Sequence, residues 1–306
     1  MSMPKPSTPP GDAEILDLLA EDDAGIDLAA YFDPREFAFR ETLETTHYWH
    51  VYRRELIRRL MDVHLGPGTR AIELGCGTGN VATHLNRHGY VVDYGDVHRE
   101  GLEAAARRVA AHLGAARHRR YVRLDITRQF PPAPDLDGDR RADGYDAVLL
   151  FDVLEHLPDD QATLRHVRRH LRPGAHVVFT VPAFQMLWSP WDDTQKHKRR
   201  YTLESARALA EESGFALERL TYFFFPLFFA AGGVKLLREL RSKVLGRPAP
   251  VAFDELLEAK TNPALNAAAL RLPLRLLRGG VGAEAPPLGL RLGEGVQERR
   301  LVRVRV

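Results

Sequence analysis

A single cysteine, Cys76, stands among the 306 residues of the chain. One thiol excludes an internal disulfide framework and a cysteine-built zinc site, and it suits a reducing cytoplasm. The run of about 20 apolar residues that a membrane-crossing helix needs is also missing. The uncharged stretch from Phe223 to Val234 is twelve residues long and is interrupted by Pro226, Gly232 and Gly233. Nor does charge of one sign accumulate: the formal net charge is +2, which gives no global argument for a nucleic-acid partner. Lysine is scarce, six against thirty-seven arginines, a skew we read as compositional bias. The opening segment MSMPKPSTPPGDAE carries proline and charge where a signal peptide needs an apolar run, and reads as a disordered leader.

What the sequence does have is alternation. ILDLLAEDDAGIDLAAYF reads as short helical pieces, and HVYRRELIRRLMDVHL sets Val51, Leu56, Ile57, Leu60 and Met61 along one helical face before Gly66 and Gly68 stop it. From TRAIELGCGTGN onward, strand-like and helix-like segments follow one another. YVVDYGD, YVRLDI, DAVLLFD and HVVFTV read as strands. EGLEAAARRVAAHLG and DQATLRHVRRHL read as helices. This order predicts an α/β fold, a mostly parallel sheet with helices on both faces. RQFPPAPDLDGDRRADG reads as a surface loop, ALERLTYFFF as a resumed strand, and the tail RRLVRVRV as a final strand at an exposed margin.

The first strand runs into ELGCGTGN, where Gly75, Gly77 and Gly79 let backbone approach a ligand at the mouth of the sheet. A dinucleotide fingerprint would place a third glycine where Asn80 stands, which disfavours a nicotinamide dehydrogenase. Asp96 closes the second strand, where a carboxylate can accept both ribose hydroxyls. Asp125, followed by Ile126, closes the third, placed to take an adenine amine with the Ile packed on the ring. Taken singly, each acid is also the ordinary cap or turn residue after a strand.

In their order and spacing, IELGCGTGN, DYGDVHREGLEAA, RLDI, YDAVLLFDVLEHLPD and LRPGAHVVFTVPA resemble the motifs of the class I S-adenosylmethionine (SAM)-dependent methyltransferases. The similarity covers roughly residues 49 to 220 and leans toward the subgroup that includes ubiquinone-biosynthesis O-methyltransferases. It implies a Rossmann-like fold with SAM as cofactor. Glu73 and the three glycines then line the methionine end, Asp96 holds the ribose, and Asp125 with Ile126 frames the adenine. It also implies that Arg53, or failing it Arg54, pairs with the methionine carboxylate; a solvated helix face is the alternative for both.

An acceptor hydroxyl must lose a proton, and His156 and His197 are the candidate bases. Asp152, Glu155 and His156 are spaced so that a helix would align all three. The resemblance therefore allows Mg2+, although the pattern also recurs without metal and the metal is left unknown. In FQMLWSPWDDTQKHKRRYT, Trp188, Trp191 and Tyr201 read as an acceptor wall, with Arg199 and Arg200 attracting an anion. The alternative is a solvated loop with its tryptophans in the core.

These readings divide the chain into a leader and helical lid over residues 1–66 and a methyltransferase domain over 67–306. A C-terminal helical insertion falls at about 226–280. The expected activity is O-methylation of a hydrophobic or lipid-linked small molecule, in the cytoplasm or peripherally at a membrane surface, with no nucleic-acid partner. A catalytically idle SAM-binding scaffold is the alternative. For the stretch 221–237 we expect a strand ending before Pro226. A helix over 226–244 would follow it, covering the acceptor pocket, with Lys235, Arg238, Arg241 and Lys243 beside it.

Overall fold

A computed structural model describes residues 14–19, 37–114, 119–131, 144–223 and 300–302. The expected insertion at 226–280, the stretch beyond Phe223 and most of the loop from 128 to 144 lie outside the described residues. The elements run β1 (Ile15–Asp17), α1 (Phe37–Thr46), α2 (Tyr48–His64), β2 (Arg70–Leu74), α3 (Asn80–Arg87), β3 (Val91–Asp96), α4 (Arg99–Leu113), β4 (Tyr121–Arg123) and β5 (Ala147–Phe151). They continue with α5 (Asp160–His170), β6 (His176–Thr180), α6 (Pro190–Thr194), α7 (Leu203–Glu212), β7 (Ala216–Arg219) and β8 (Arg300–Val302).

Eight strands form one sheet in the order β1-β4-β3-β2-β5-β6-β8-β7, and every pairing is parallel. Successive strand residues point to opposite faces, so the sheet carries two cores. Ala71, Ala147, Leu149 and Val178 meet Ile57, Met61, Leu85 and Leu102 of α2, α3 and α4. Ile72, Leu74, Val148, Leu150, Val177 and Phe179 meet Leu164, Val167, Ala206 and Leu209 of α5 and α7. This is the expected α/β arrangement, a parallel sheet with helices on both faces.

After β2 the chain winds outward through β3 to β4, then returns to build β5 on the other side of β2. The C-terminal ends of β2 and β5 therefore flank the point where strand order reverses, the place where open α/β sheets bind ligands. The glycine turn leaves β2 there.

Two segments depart from the sequence reading. Ile15–Asp17 is an edge strand on β4, not a helix. The exposed edge of β4 offers unpaired backbone, and Asp17 fixes the register by accepting from Arg99 (2.7 Å) and Arg123 (3.2 Å). Arg300–Val302 is not at a margin either; it lies between β6 and β7. Among the described residues no helix is long and apolar enough to cross a membrane.

The glycine turn is packed as well as left-handed. A Cβ at Gly79 (φ +70°) would meet Tyr94 and Ala105 at 2.8 Å, whereas one at Gly174 (φ +80°) would meet nothing within 4 Å. Both alanine variants carry backbone strain, but only Gly79→Ala adds overpacking, roughly 1–3 kcal/mol. Gly79→Ala is thus expected to lower the urea midpoint more than Gly174→Ala. Equal losses would show that the turn is not close-packed.

Candidate active site

At the end of β2, the N–H groups of Gly75 and Cys76 donate to the Gly95 carbonyl (2.8 and 3.0 Å) and hold the turn against β3. Gly75, Gly77 and Gly79 all have positive φ, and a Cβ at Gly75 would lie 2.5 Å from Val153 Cγ2. Glycine is required here by conformation and by space. Cys76 is buried, and burial pushes its thiol well above the usual range, so it fills space and is no nucleophile.

Glu73 lies beneath this turn. Gly79, at the N-cap of α3, has no side chain to offer, and Glu73 Oε2 accepts the Ala82 N–H at 2.7 Å in its place. Burial raises the Glu73 carboxyl to about 8, with the Arg53 charge and the Ala82 N–H pulling the other way. Asp96 is also buried and its carboxyl is raised by desolvation. It accepts the Gly77 N–H through Oδ2 and the His98 N–H through Oδ1, both at 2.8 Å. A carboxylate has about four acceptor sites, so capacity for ribose hydroxyls remains.

Asp125 sits one strand further out. Its Oδ1 accepts from the Thr127 N–H (2.9 Å) and hydroxyl (2.7 Å), with Arg128 3.9 Å from Oδ2. It closes a local turn, and Ile126 joins the core beneath.

The two arginines of the lid helix separate. Arg54 donates to the Glu44 carbonyl (3.1 Å) and to Asn80 Oδ1 (3.0 Å), tying α2 to α3. Arg53 reaches the strand ends instead. It lies 2.9 Å from Asp152 Oδ2 and 3.4 Å from Thr180 Oγ1, with its guanidinium against the rings of Trp49 and Phe151. Its Nε is buried without a hydrogen-bond partner among the described residues, a donor of the kind a ligand carboxylate satisfies.

The histidines come together as the sequence places them, with their ring centroids 4.8 Å apart, edge to face. Their environments differ. Burial lowers the His156 imidazole to about 3, with the neighbouring His197 and Arg40 adding to the effect. Burial thus works against His156 as a base tuned near neutrality and favours its neutral ring. His197 has a partner that orients it. Its Nδ1 lies 2.8 Å from Oδ1 of the fully buried Asp192, which leaves the lone pair on Nε2. Asp192 also receives two 2.7 Å bonds from Arg200 and caps α6 through the Ser189 N–H. Although burial works against its charge, these partners hold its carboxyl far below the usual range.

Mg2+ does not fit the expected trio. Leu154–His156 forms a single 3-10 turn, and Asp152 (φ +59°) turns its carboxylate to Arg53 and Thr180, away from Glu155 and His156. What does converge within 4.8 Å is one oxygen of Glu155 with one nitrogen each of His156 and His197, a set suited to zinc-class ions over Mg2+.

The aromatic and basic segment is also corrected. Tyr201 is in the core and donates to Asp160 Oδ2 at 2.6 Å. Arg199 pairs with Asp160 at 2.7 Å, and Arg200 is committed to Asp192. Acids of the same region neutralise both arginines, so neither is left to attract an anion. Trp188, half-buried, donates to Asp193 Oδ1 at 3.0 Å, and Trp191 is half-buried on α6. Asp192 escaped the sequence reading, although Ser189 and Asp192 spell a helix-capping box that would have flagged it.

A family profile described as a methyltransferase domain matches residues 47–220. The chain belongs to this family, the class I SAM-dependent methyltransferases. It is similar to the ubiquinone biosynthesis O-methyltransferase of Pectobacterium carotovorum subsp. carotovorum, 31% identical over 113 residues, covering 37% of this chain and 43% of that one. The Vibrio atlanticus enzyme of the same name is 30% identical over the same shares. The alignments thus span under half the length of these relatives. Among solved structures, magnesium protoporphyrin IX methyltransferase from Synechocystis PCC 6803 with bound SAM aligns over 55% of this chain and 71% of its own, at 18% identity and TM-score 0.40. Phosphoethanolamine N-methyltransferase 2 from Haemonchus contortus aligns over 66% and 46%, at 20% identity and TM-score 0.42.

Two measurements test this geometry. Asp96→Ala is expected to weaken SAM and S-adenosylhomocysteine binding alike, by about 1.5–3 kcal/mol, read by calorimetry. Unchanged affinity would remove Asp96 from the cofactor site. For Glu73, the folded pKa of about 8 lies above the ordinary 4.5, so its stability contribution is full below pH 4.5 and is lost as pH rises through 8. Glu73→Gln should flatten that part of the stability–pH curve in chemical unfolding. A slope identical to wild type would show that Glu73 ionises freely.

Proposed function

We propose that the chain transfers the methyl group of SAM to a hydroxyl of a small, hydrophobic acceptor. Gly75, Gly77, Gly79, Glu73 and Arg53 receive the methionine end, and Asp96 receives the ribose. The helices before residue 66 act as the lid. The observation that carries the reading is the buried Asp192 holding His197 through Nδ1, beside His156, in the segments that follow β5 and β6.

In this scheme the acceptor oxygen attacks in line with the S–CH3 bond. The O–CH3 bond forms as the S–CH3 bond breaks, the hydroxyl proton passes to His197 Nε2, and S-adenosylhomocysteine leaves. The sulfonium already activates the methyl, so alignment and exclusion of water supply most of the barrier reduction, on the order of 7–11 kcal/mol by intramolecular analogy. Asp192 stabilises the imidazolium as it forms, as a carboxylate does behind a catalytic histidine.

Leu60, Met61, Phe151, Val178 and Phe223 make an apolar lining beside Arg53, with Phe151 and Thr180 bordering both; the gap they leave takes no more than a water, so they give the region its apolar character and are not themselves an acceptor pocket. The ubiquinone-biosynthesis relatives point the same way. A lipid-linked acceptor would bring the protein to a membrane surface.

The test is transfer of labelled methyl from SAM into phenolic and quinol acceptors and into fractionated host metabolites. His197→Ala should lower kcat by about 100- to 10,000-fold with SAM affinity kept. SAM binding without turnover on any fraction would mean an idle scaffold. Activity is expected to survive EDTA. Loss in EDTA with rescue by Zn2+ that persists in a variant carrying His88→Ala, which removes the remote Glu55–His84–His88 cluster, would reassign His197 from base to metal ligand.

A further inference from the structure

On the sheet face covered by α2, α3 and α4, α2 and the C-terminal end of α3 bring together three ligating groups that the methyl-transfer scheme does not use. Glu55, His84 and His88 each offer one ligand atom, and these atoms lie within 4.8 Å of one another. His84 Nε2 is 3.1 Å from Glu55 Oε2, and the rings of His84 and His88 are 4.5 Å apart between centroids. We propose that Glu55, His84 and His88 form a site for a zinc-class divalent cation that clamps the lid helix α2 to the helix following the glycine turn.

Three features favour an ion there. His88 Nδ1 lies 2.8 Å from the His84 carbonyl, which can only accept. The Nδ1 therefore carries the proton, and Nε2 of this exposed ring presents its lone pair, the state a metal requires. The Glu55 carboxylate is held in place by neighbours on its own helix. Arg58 and Arg59 grip that carboxylate at 2.7–2.8 Å and fix its orientation. Finally, the cluster lies at the C-terminal end of α3, where the helix dipole favours a cation.

Two imidazoles and one carboxylate suit Zn2+, Ni2+ or Co2+ and leave a fourth position for water; oxygen-seeking Mg2+ and Ca2+ are poorly served. In the metal-free protein a hydrogen bond joins His84 Nε2 to Glu55. The cation takes that proton's place, and the neutral His84 ring carries its proton on Nδ1 instead. The charges of Arg58 and Arg59 work against the cation, so binding should be weaker than in dedicated structural zinc sites. Because Glu55 directly follows Arg53 and Arg54, occupancy would stiffen the segment that positions both.

The experiment titrates Zn2+ and Ni2+ into the full chain carrying His156→Gln and His197→Gln, which removes the other Glu–His–His cluster. One equivalent should bind by calorimetry, and the melting temperature should rise by roughly 5 °C at a hundredfold excess over Kd. Mg2+ should do neither. Adding His88→Ala, a change at an exposed ring, should abolish both effects while leaving the metal-free melting temperature near that of the parent. Binding that persists in His88→Ala, or no binding in the parent variant, would overturn the proposal. Neither result decides the methyl-transfer reading, whose test is turnover and whose reacting groups are other residues.

Discussion

Burial of the Glu73 and Asp96 carboxylates beneath a left-handed glycine turn is the constraint on which the ligand end of this fold depends. A parallel sheet leaves its strand ends and helix starts with unsatisfied backbone donors. Here the helix after the turn begins with a glycine that cannot cap it, and the turn itself has an N–H pointing back at β3. Glu73 answers the first need and Asp96 the second. The cost is desolvation, which raises both carboxyls. Each acid is therefore structural before it is functional, and its lone pairs are aimed by bonds that exist without a ligand.

The lid extends that arrangement outward. Glu44 of α1 accepts from Arg108 of α4 at 2.6 Å and bonds the Thr78 hydroxyl, while Arg108 donates to the Thr78 carbonyl at 3.0 Å. Thr78 lies between Gly77 and Gly79, so α1 grips the turn at its centre. Arg54 and Arg53 attach α2 to Asn80 and Asp152 respectively. Buried ion pairs of this kind add little net stability against their desolvation, but losing one partner strands a charge. Their effect is to fix where the lid sits relative to the turn.

Much of this was legible in the sequence because it follows from periodicity and from residue types with few alternatives. Strand and helix order could be read from alternation. Gly75, Gly77 and Gly79 could be read because a left-handed, close-packed turn admits little else. Asp96 could be placed by its strand end. What could not be read depended on partners distant in sequence. Ile15–Asp17 looks helical alone and becomes a strand because β4 offers an open edge. Asp152 looks like a metal ligand until Arg53, from another helix, claims it. Tyr201 reads as an acceptor wall, yet its ring completes the core under α5 and α7.

The segment after β6 shows why local charge pattern misled where local geometry would have helped. Trp, acid and base crowd together there, and the arginines look available for an anion. Yet Asp192 and Asp160 are near enough to take both, and the planar guanidinium fork matches a carboxylate. The consequence reaches the chemistry. Arg200 donates to both oxygens of Asp192, sharing Oδ1 with His197 Nδ1, and it keeps the acid charged although fully buried. Arg200 thus acts on the histidine through Asp192. That explains why a basic residue three positions from a candidate base sits there.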